Sequence, residues 1–435
     1  MKIPTMALAA VAMLSLAGLT GCAAGGTTTA SSTGCDGKLP SGTTDISVWY
    51  HNGEAPDVAA MTQLAASFNA SQKKVHVTLK VIPDMTASVK GAAASKQLPD
   101  VLDTDSANAA NEAWSGYLRP LDSCIPASLK ADLLPSIVSG GTYAGHQYAV
   151  GLVDSGMAMY AYKSDLVKAG VRIPTGLSDA WTASEFTDAL AKLRAAGHKQ
   201  PLDLWKTSPC AYCTETYLWS SGGDLVDRKT YKTASGFINS PDAVTGLTTF
   251  QSWFKDGYVD DNSDGAAFLN HRVSLSWNGF WQYKPFAAAA GSDLLVLPMP
   301  NMGKGATNTQ GSWQWTMTKS SKDPDALWAW IAYTLEPQNV AAIATSNSGV
   351  PSRKSVLATS ALYGSNGPLA LIGDGLAAGK TVARPMTPGY PAMDAAYATA
   401  ITDIIAGKDV KTALDTAADA INSDLKQNEY YPTPK

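Results

Sequence analysis

Beyond residue 44 the chain alternates short runs of period two with longer runs of helical spacing. Ile46, Val48 and Tyr50 share one face of a strand over 45–50. Val58, Met61, Leu64, Ala65 and Phe68 then recur at the three- and four-residue spacing of a helix. Val75, Val77, Leu79 and Val81 alternate with His76, Thr78 and Lys80 in a second strand, 85–97 is helix-compatible, and a third strand starts at 100–103. Strand, helix, strand, helix, strand predicts an α/β fold with a mainly parallel sheet flanked by helices. In such sheets ligands sit beyond the carboxyl ends of the strands. Those ends carry "WYHNGE" and "DTDSAN", polar and aromatic together.

Later segments follow the same grammar. Thr182 and Glu185 make a capping box before a helix that Gly197 stops. Ser240 and Pro241 open another helix, which closes at Gly257. "DPDALWAWIAYTL" reads as helix, and so does "DVKTALDTAADAINSDL", where Val410, Leu414, Ala417, Ile421 and Leu425 form a stripe suited to a core. No internal repeat and no charge run is present.

The first 44 residues are different. Lys2 precedes an uncharged apolar run over 6–19, too short for a membrane helix of about 20 residues but suited to an export signal. Leu19-Thr20-Gly21-Cys22 resembles the lipobox of bacterial lipoproteins, which implies a signal over 1–21 and a diacylated Cys22. Each acyl CH₂ buried in a membrane contributes about 0.8 kcal/mol, so more than one chain on Cys22 makes a lasting anchor. The Gly/Ser/Thr-rich 22–44 then reads as anchor and flexible linker. The product is expected on the outer face of the cell membrane.

A formal charge of −4 without a basic run argues against nucleic acid as partner. Apart from Cys22 the cysteines are Cys35, Cys124, Cys210 and Cys213, an even number in an exported chain, which suggests two disulfides with three connectivities. Cys210-Ala-Tyr-Cys213 most simply closes on itself, leaving Cys35 with Cys124. A redox CxxC is the competing reading, although no thioredoxin-type βαβ unit precedes it. Zinc would need more ligands, and no histidine is near the pair in sequence.

Catalytic patterns are thin. The histidines are scattered, and neither HExxH nor Gly-x-Ser-x-Gly occurs. "GDGLAAGKT" from Gly373 matches Gly-x-Gly-x-x-Ala without a βαβ unit around it and reads as a loop. Asp260, Asn262, Asp264 and Gly265 fit a calcium loop, but position twelve is His271 instead of a bidentate Glu, so a polar turn is expected and no metal. Asp103 and Asp105 could be a glycosidase pair, yet spacing alone does not promote them. No cofactor is implied. The twelve tryptophans are more informative, because several stand beside small and polar residues in "LWKTSPC", "YLWSSGGD", "LSWNGFWQY" and "GSWQWTM". An indole in such a setting is a flat platform for the C–H face of a sugar, whose hydroxyls need acceptors such as Asp, Glu and Asn.

The order of motifs resembles the family 1 solute-binding proteins of ABC importers, the maltose-binding-protein-like type. "LPDVLDTDSANAANEAWSGYLRPLD", "MAMYAYKSDLVKAGV" with "TGLSDAWTASEF", "FLNHRVSLSWNGFW", "WTMTKSSKDPDALWAWIAYTL" and "GVPSRKSV" are similar to the family's successive segments. His271 and Leu275 stand where the family has Gly and Met, and "GLVDSG" replaces Pro-Tyr before the central strand. The resemblance implies two α/β lobes hinged about a ligand, one at 45–153 plus 277–317 and the other at 154–276 plus 318–435. It further implies a monomer that delivers a mono- or short oligosaccharide to a membrane permease. Glu54, Asp103 and Asp105 become hydroxyl acceptors, and Asp154 a polar contact at the hinge. Trp277, Asn278, Trp281, Trp313 and Trp315 become contacts at the crossovers, with Trp205 and Trp219 as second-lobe platforms. Arg353 either donates to the ligand or forms a structural salt bridge. The alternatives are the same fold with a glycerophosphodiester or other polar metabolite, and an exported glycoside hydrolase.

Overall fold

The computed structural model describes residues 35–39, 41–204, 210–262, 264–377 and 381–432. The signal, Cys22 and Trp205 lie outside them. Eight strands carry the architecture: β1 (Thr44–His51), β2 (Val75–Ile82), β3 (Val101–Asp105), β4 (Met157–Tyr162), β5 (Leu202–Asp203), β6 (Leu275–Gly279), β7 (Leu294–Leu297) and β8 (Trp313–Thr318). The helices used below are α1 (Ala55–Ser71), α2 (Ala211–Ser221), α3 (Pro324–Thr334), α4 (Pro337–Asn347), α5 (Tyr390–Ile405) and α6 (Val410–Gln427).

The first sheet runs β2-β1-β3-β8, with the short strands Leu118–Arg119 and Ala149–Val150 both pairing with β8. β1 is parallel to β2 and β3, whereas β8 returns antiparallel and sets Trp313 opposite Asp105 and Trp315 opposite Asp103. The period-two reading of β1 holds, since Ile46, Val48 and Tyr50 are buried. They meet Met61, Leu64, Ala65 and Phe68 from α1. The second sheet runs β5-β6-β4-β7 and is mostly antiparallel, because only β5 and β6 run the same way. The stripe on α6 is buried as its spacing requires, packed against α5.

The cores show how the chain is shared. Around the first sheet the core draws on residues from Ile46 to Val153 and from Trp315 to Val356, including Trp330, Ile331 and Val340 of α3 and α4. Around the second sheet it draws mainly on residues from Met157 to Met302 and from Tyr363 to Leu425. This corrects the expected division after residue 276. The family resemblance puts Trp277–Asn278 at a crossover, yet every residue of β6 is buried and β6 lies beside β4. The helices 324–347, assigned by expectation to the second lobe, complete the first because the apolar face carrying Trp330 meets Phe68 and Trp315. The chain passes between the cores near 153–157, 302–313 and 351–363.

Cys35 and Cys124 form a disulfide, and the Asp325 carboxylate accepts the backbone N–H of Asp36 and Gly37. The described chain is therefore fastened to the first core from its outset. Cys210 and Cys213 form a second disulfide. The run from Gly373 is not a loop at its start, because it completes the helix Ala370–Ala377, seated through Leu369 and Ile372. Where a polar turn is expected, Arg272 Nη2 lies 3.1 Å from Asp260 Oδ2 and 2.7 Å from Asp264 Oδ1. Among the described residues no helix is long and apolar enough to cross a membrane.

Candidate functional site

A cleft of about 490 Å³ opens where the carboxyl ends of β1 and β3 face the second core. One wall is Tyr50 to Glu54 with Asp57, Asp103, Asp105, Trp313, Ile343 and Asn347. The facing wall is Cys210, Tyr212, Cys213, Phe280, Trp281 and Arg384, and the floor is Leu152, Val153, Ser155, Gly311 and Ser312 from the crossing segments. The location follows from the topology, since the parallel strands end there and their loops project past the sheet.

β1 delivers His51 between two carboxylates. Its Nδ1 is 2.5 Å from Asp103 Oδ2, and its Nε2 is 3.5 Å from Asp57 Oδ2. Asp57 is buried in the first turn of α1, where its carboxylate also accepts from Tyr50 Oη at 2.7 Å and Asn347 Nδ2 at 3.1 Å. Burial pushes the Asp57 carboxyl up, while the neighbouring imidazole and hydrogen bonds pull it back. For His51 burial works against the charged ring, but Asp103 and Asp57 outweigh it and hold its pKa above the ordinary value. The imidazole lies flat on Trp313, with ring centroids 4.4 Å apart and planes 2° from parallel. Gly53 permits this crowding, because a Cβ there would stand 2.5 Å from Asp57 Oδ2.

Arg384 stands on the opposite wall. Its guanidinium pairs in bidentate fashion with Asp105 and lies over the rings of Tyr212 and Tyr390, 5.1 and 5.6 Å from their centroids. Burial disfavours that charge, yet Asp105 keeps it firmly protonated. Tyr212 Oη sits 2.5 Å from Ser155 Oγ, which donates to Gly311 O at 2.6 Å, so the wall is tied to the floor. Gln282 Nε2 donates to Glu54 Oε1 across the mouth at 3.4 Å.

Five of the expected contacts meet in this cleft: Glu54, Asp103, Asp105, Trp281 and Trp313. Asp154 lies fully buried behind it, accepting from Ser155 N and Gly311 N, and so supports the floor from below. The others are corrected. Trp277 is 2% exposed and stacks on Tyr217 at 3.6 Å, in the second core. Trp315 is 1% exposed and packs against Tyr50 and Trp330. Trp219 is buried on α2 outside the lining, and Asn278 turns its Oδ1 back to Gly279 N. Arg353 takes the structural alternative, bonding Asp132 Oδ2 at 2.7 Å and Leu335 O at 2.8 Å.

The sequence reading missed His51, Asp57, Tyr212, Asn347 and Arg384. His51 stands inside the quoted "WYHNGE", so the position of a strand end could have found it. Arg384 carries no local signal, since only the fold brings it to Asp105. Chemically, the cleft offers flat aromatic faces at Trp313, Trp281 and Tyr212, surrounded by carboxylates, amides and hydroxyls. Asp103 is engaged by the His51 imidazole and Asp105 by the Arg384 guanidinium.

Residues 63–367 match the family described as bacterial extracellular solute-binding protein. An uncharacterized lipoprotein in the oleD 5′ region of Streptomyces antibioticus is 26% identical over 328 residues, 71% of this chain and 70% of the relative. The GacH receptor of Streptomyces glaucescens, solved unliganded and with acarbose and an acarbose homolog, is 26% identical with a TM-score of 0.79, covering 88% of this chain and 99% of its own. The cyclic alpha-maltosyl-1,6-maltose binding protein of Arthrobacter globiformis shares the fold at 24% identity and a TM-score of 0.72, over 89% and 100% of the two chains.

Proposed function

The chain belongs to the bacterial extracellular solute-binding proteins, and we propose that it captures a mono- or short oligosaccharide and delivers it to an ABC permease. The observation that carries this reading is the pairing of aromatic faces with hydrogen-bonding groups across one cleft. Trp313 and Trp281 stack on sugar faces, Glu54, Asp103 and Asp105 accept from hydroxyls, and Arg384 donates, while Tyr212, whose proton goes to Ser155 Oγ, offers its ring and an acceptor oxygen. The cleft volume, ≈ 490 Å³, falls within the roughly 300–1,000 Å³ of sites that enclose small molecules. Because the GacH receptor is solved with acarbose and an acarbose homolog, acarbose is among the first candidates.

In this reading the two lobes close over the ligand, which favours the closed state by its differential affinity. Cys22 carries the acyl chains, and the folded part works as a monomer outside the membrane, binding its sugar without turning it over. Calorimetry and thermal shift against maltose, maltotriose, acarbose and glycerophosphocholine form the test. A sugar is expected to bind near micromolar affinity, about −8 kcal/mol. Binding of glycerophosphocholine alone, or release of labelled monosaccharide at stoichiometric protein, would replace this reading with one of its rivals.

Gly279 offers a sharper check of the stacking role. Its backbone is ordinary, but a Cβ there would stand 2.0 Å from the Trp281 ring. Gly279→Ala should therefore drive the indole from its place and weaken the best sugar about tenfold, the scale of one lost stacking contact. Calorimetry on Gly279→Ala and Trp281→Ala should give similar losses.

A further inference from the structure

The Cys210–Cys213 disulfide is part of the cleft wall, and nothing in the proposed capture of a sugar requires it. Cys210 is the N-cap of α2, half-buried, and its sulfur accepts the backbone N–H of Cys213 at 3.1 Å. Cys213 is 2% exposed. An accessible first cysteine at a helix start and a covered second one is the arrangement that lowers thiol pKa values and favours exchange in Cys-x-x-Cys motifs. Between them stands Tyr212, held by Ser155 below and by Arg384 on its face.

We infer that this disulfide is a redox-sensitive positioning element of the ligand site, fixing the first turn of α2 so that Tyr212 meets the ligand. The inference rests on the cleft being the sugar site. A dithiol supplies the reducing equivalents. Its thiolate attacks Cys210 Sγ, the Cys210–Cys213 bond breaks, and Cys213 leaves as a thiolate that takes up a proton. The reductant's second thiolate then displaces Cys210, giving two protein thiols and one oxidised dithiol. A ligand in the cleft shields Cys210 from attack, and separately, if reduction lowers ligand affinity, linkage requires that ligand disfavour reduction by the same factor.

The test measures the affinity of the best sugar for oxidised wild type, dithiothreitol-reduced wild type and the Cys210→Ser/Cys213→Ser double variant, which retains Cys35–Cys124. Reduced wild type and the variant should both bind about tenfold more weakly, the scale of one displaced hydrogen-bonding side chain. Reoxidation should restore wild type, and saturating sugar should slow reduction of the Cys210–Cys213 disulfide, followed by thiol labelling and mass spectrometry. In a Tyr212→Ala background the double substitution should cost little further affinity, because the two changes act through one side chain. Equal affinity in oxidised and reduced wild type, or additive losses with Tyr212→Ala, would overturn the inference. Absence of any sugar binding by oxidised wild type would instead refute the functional reading beneath it.

Discussion

Trp313→Ala is expected to weaken sugar binding roughly ten- to hundredfold, the range for an aromatic anchor of a binding site, while leaving the thermal midpoint almost unchanged. Trp277→Ala should do the reverse. Trp313 lies at the cleft with His51 stacked on it, and its removal deletes a platform at the boundary of the core. Trp277 fills the second core against Tyr217, so its removal leaves a cavity costing about 3–5 kcal/mol. Chemical denaturation and calorimetry on the two variants separate these roles. A loss of affinity without a loss of stability in Trp277→Ala would return that residue to the binding site.

The second large effect concerns pH. Glu112 and Glu215 are buried, and burial pushes each carboxyl up to about 8 from an ordinary 4.5. Glu112 accepts Thr104 Oγ1 at 2.9 Å, and Glu215 accepts Tyr390 Oη at 3.2 Å through one oxygen. Both regain ordinary values on unfolding, so between about pH 4.5 and 8 the folded chain holds protons that the unfolded chain releases. Stability therefore falls as pH rises across that window, by a few kcal/mol at most for each group. His51 acts in the same direction. Its pKa is raised, so its contribution is fully present below about 6.5 and lost as pH rises through the folded value. The thermal midpoint should be several degrees higher at pH 5.5 than at pH 8.5. Glu215→Gln, which keeps a neutral polar group in place, should flatten that dependence, and an unchanged slope would show that Glu215 ionises normally in the fold.

The elements with one buried face were legible in the sequence because burial imposes a period. β1, α1 and α6 each carry that period. The site was half legible for a related reason. Trp313 and Trp315 stand two apart on the same face of β8, in the same kind of sequence, and differ only in lying beyond or beneath the edge of the core. Periodicity cannot say where that edge falls. Trp277 and Asn278 looked exposed because Gly and Asn surround them, but the ring of Tyr217 covers the indole from a helix some sixty residues away. Arg384 and Asp105 are brought together only by the second core and the crossing strands, which no local pattern encodes. Asp57 was hidden by its place in a helix, where an acidic residue in the first turn is ordinary on its own.

The fastening at the start of the described chain has a mechanical consequence. Cys35 is bonded to Cys124, and the next two residues are held by Asp325 at the start of α3, all on the first core. A force applied upstream of residue 35 is thus delivered into that core and bypasses the three crossing segments. Pulling on the chain from that end would load one jaw of the clamp and leave the hinge slack, so opening and closing would proceed at the same equilibrium under tension as at rest.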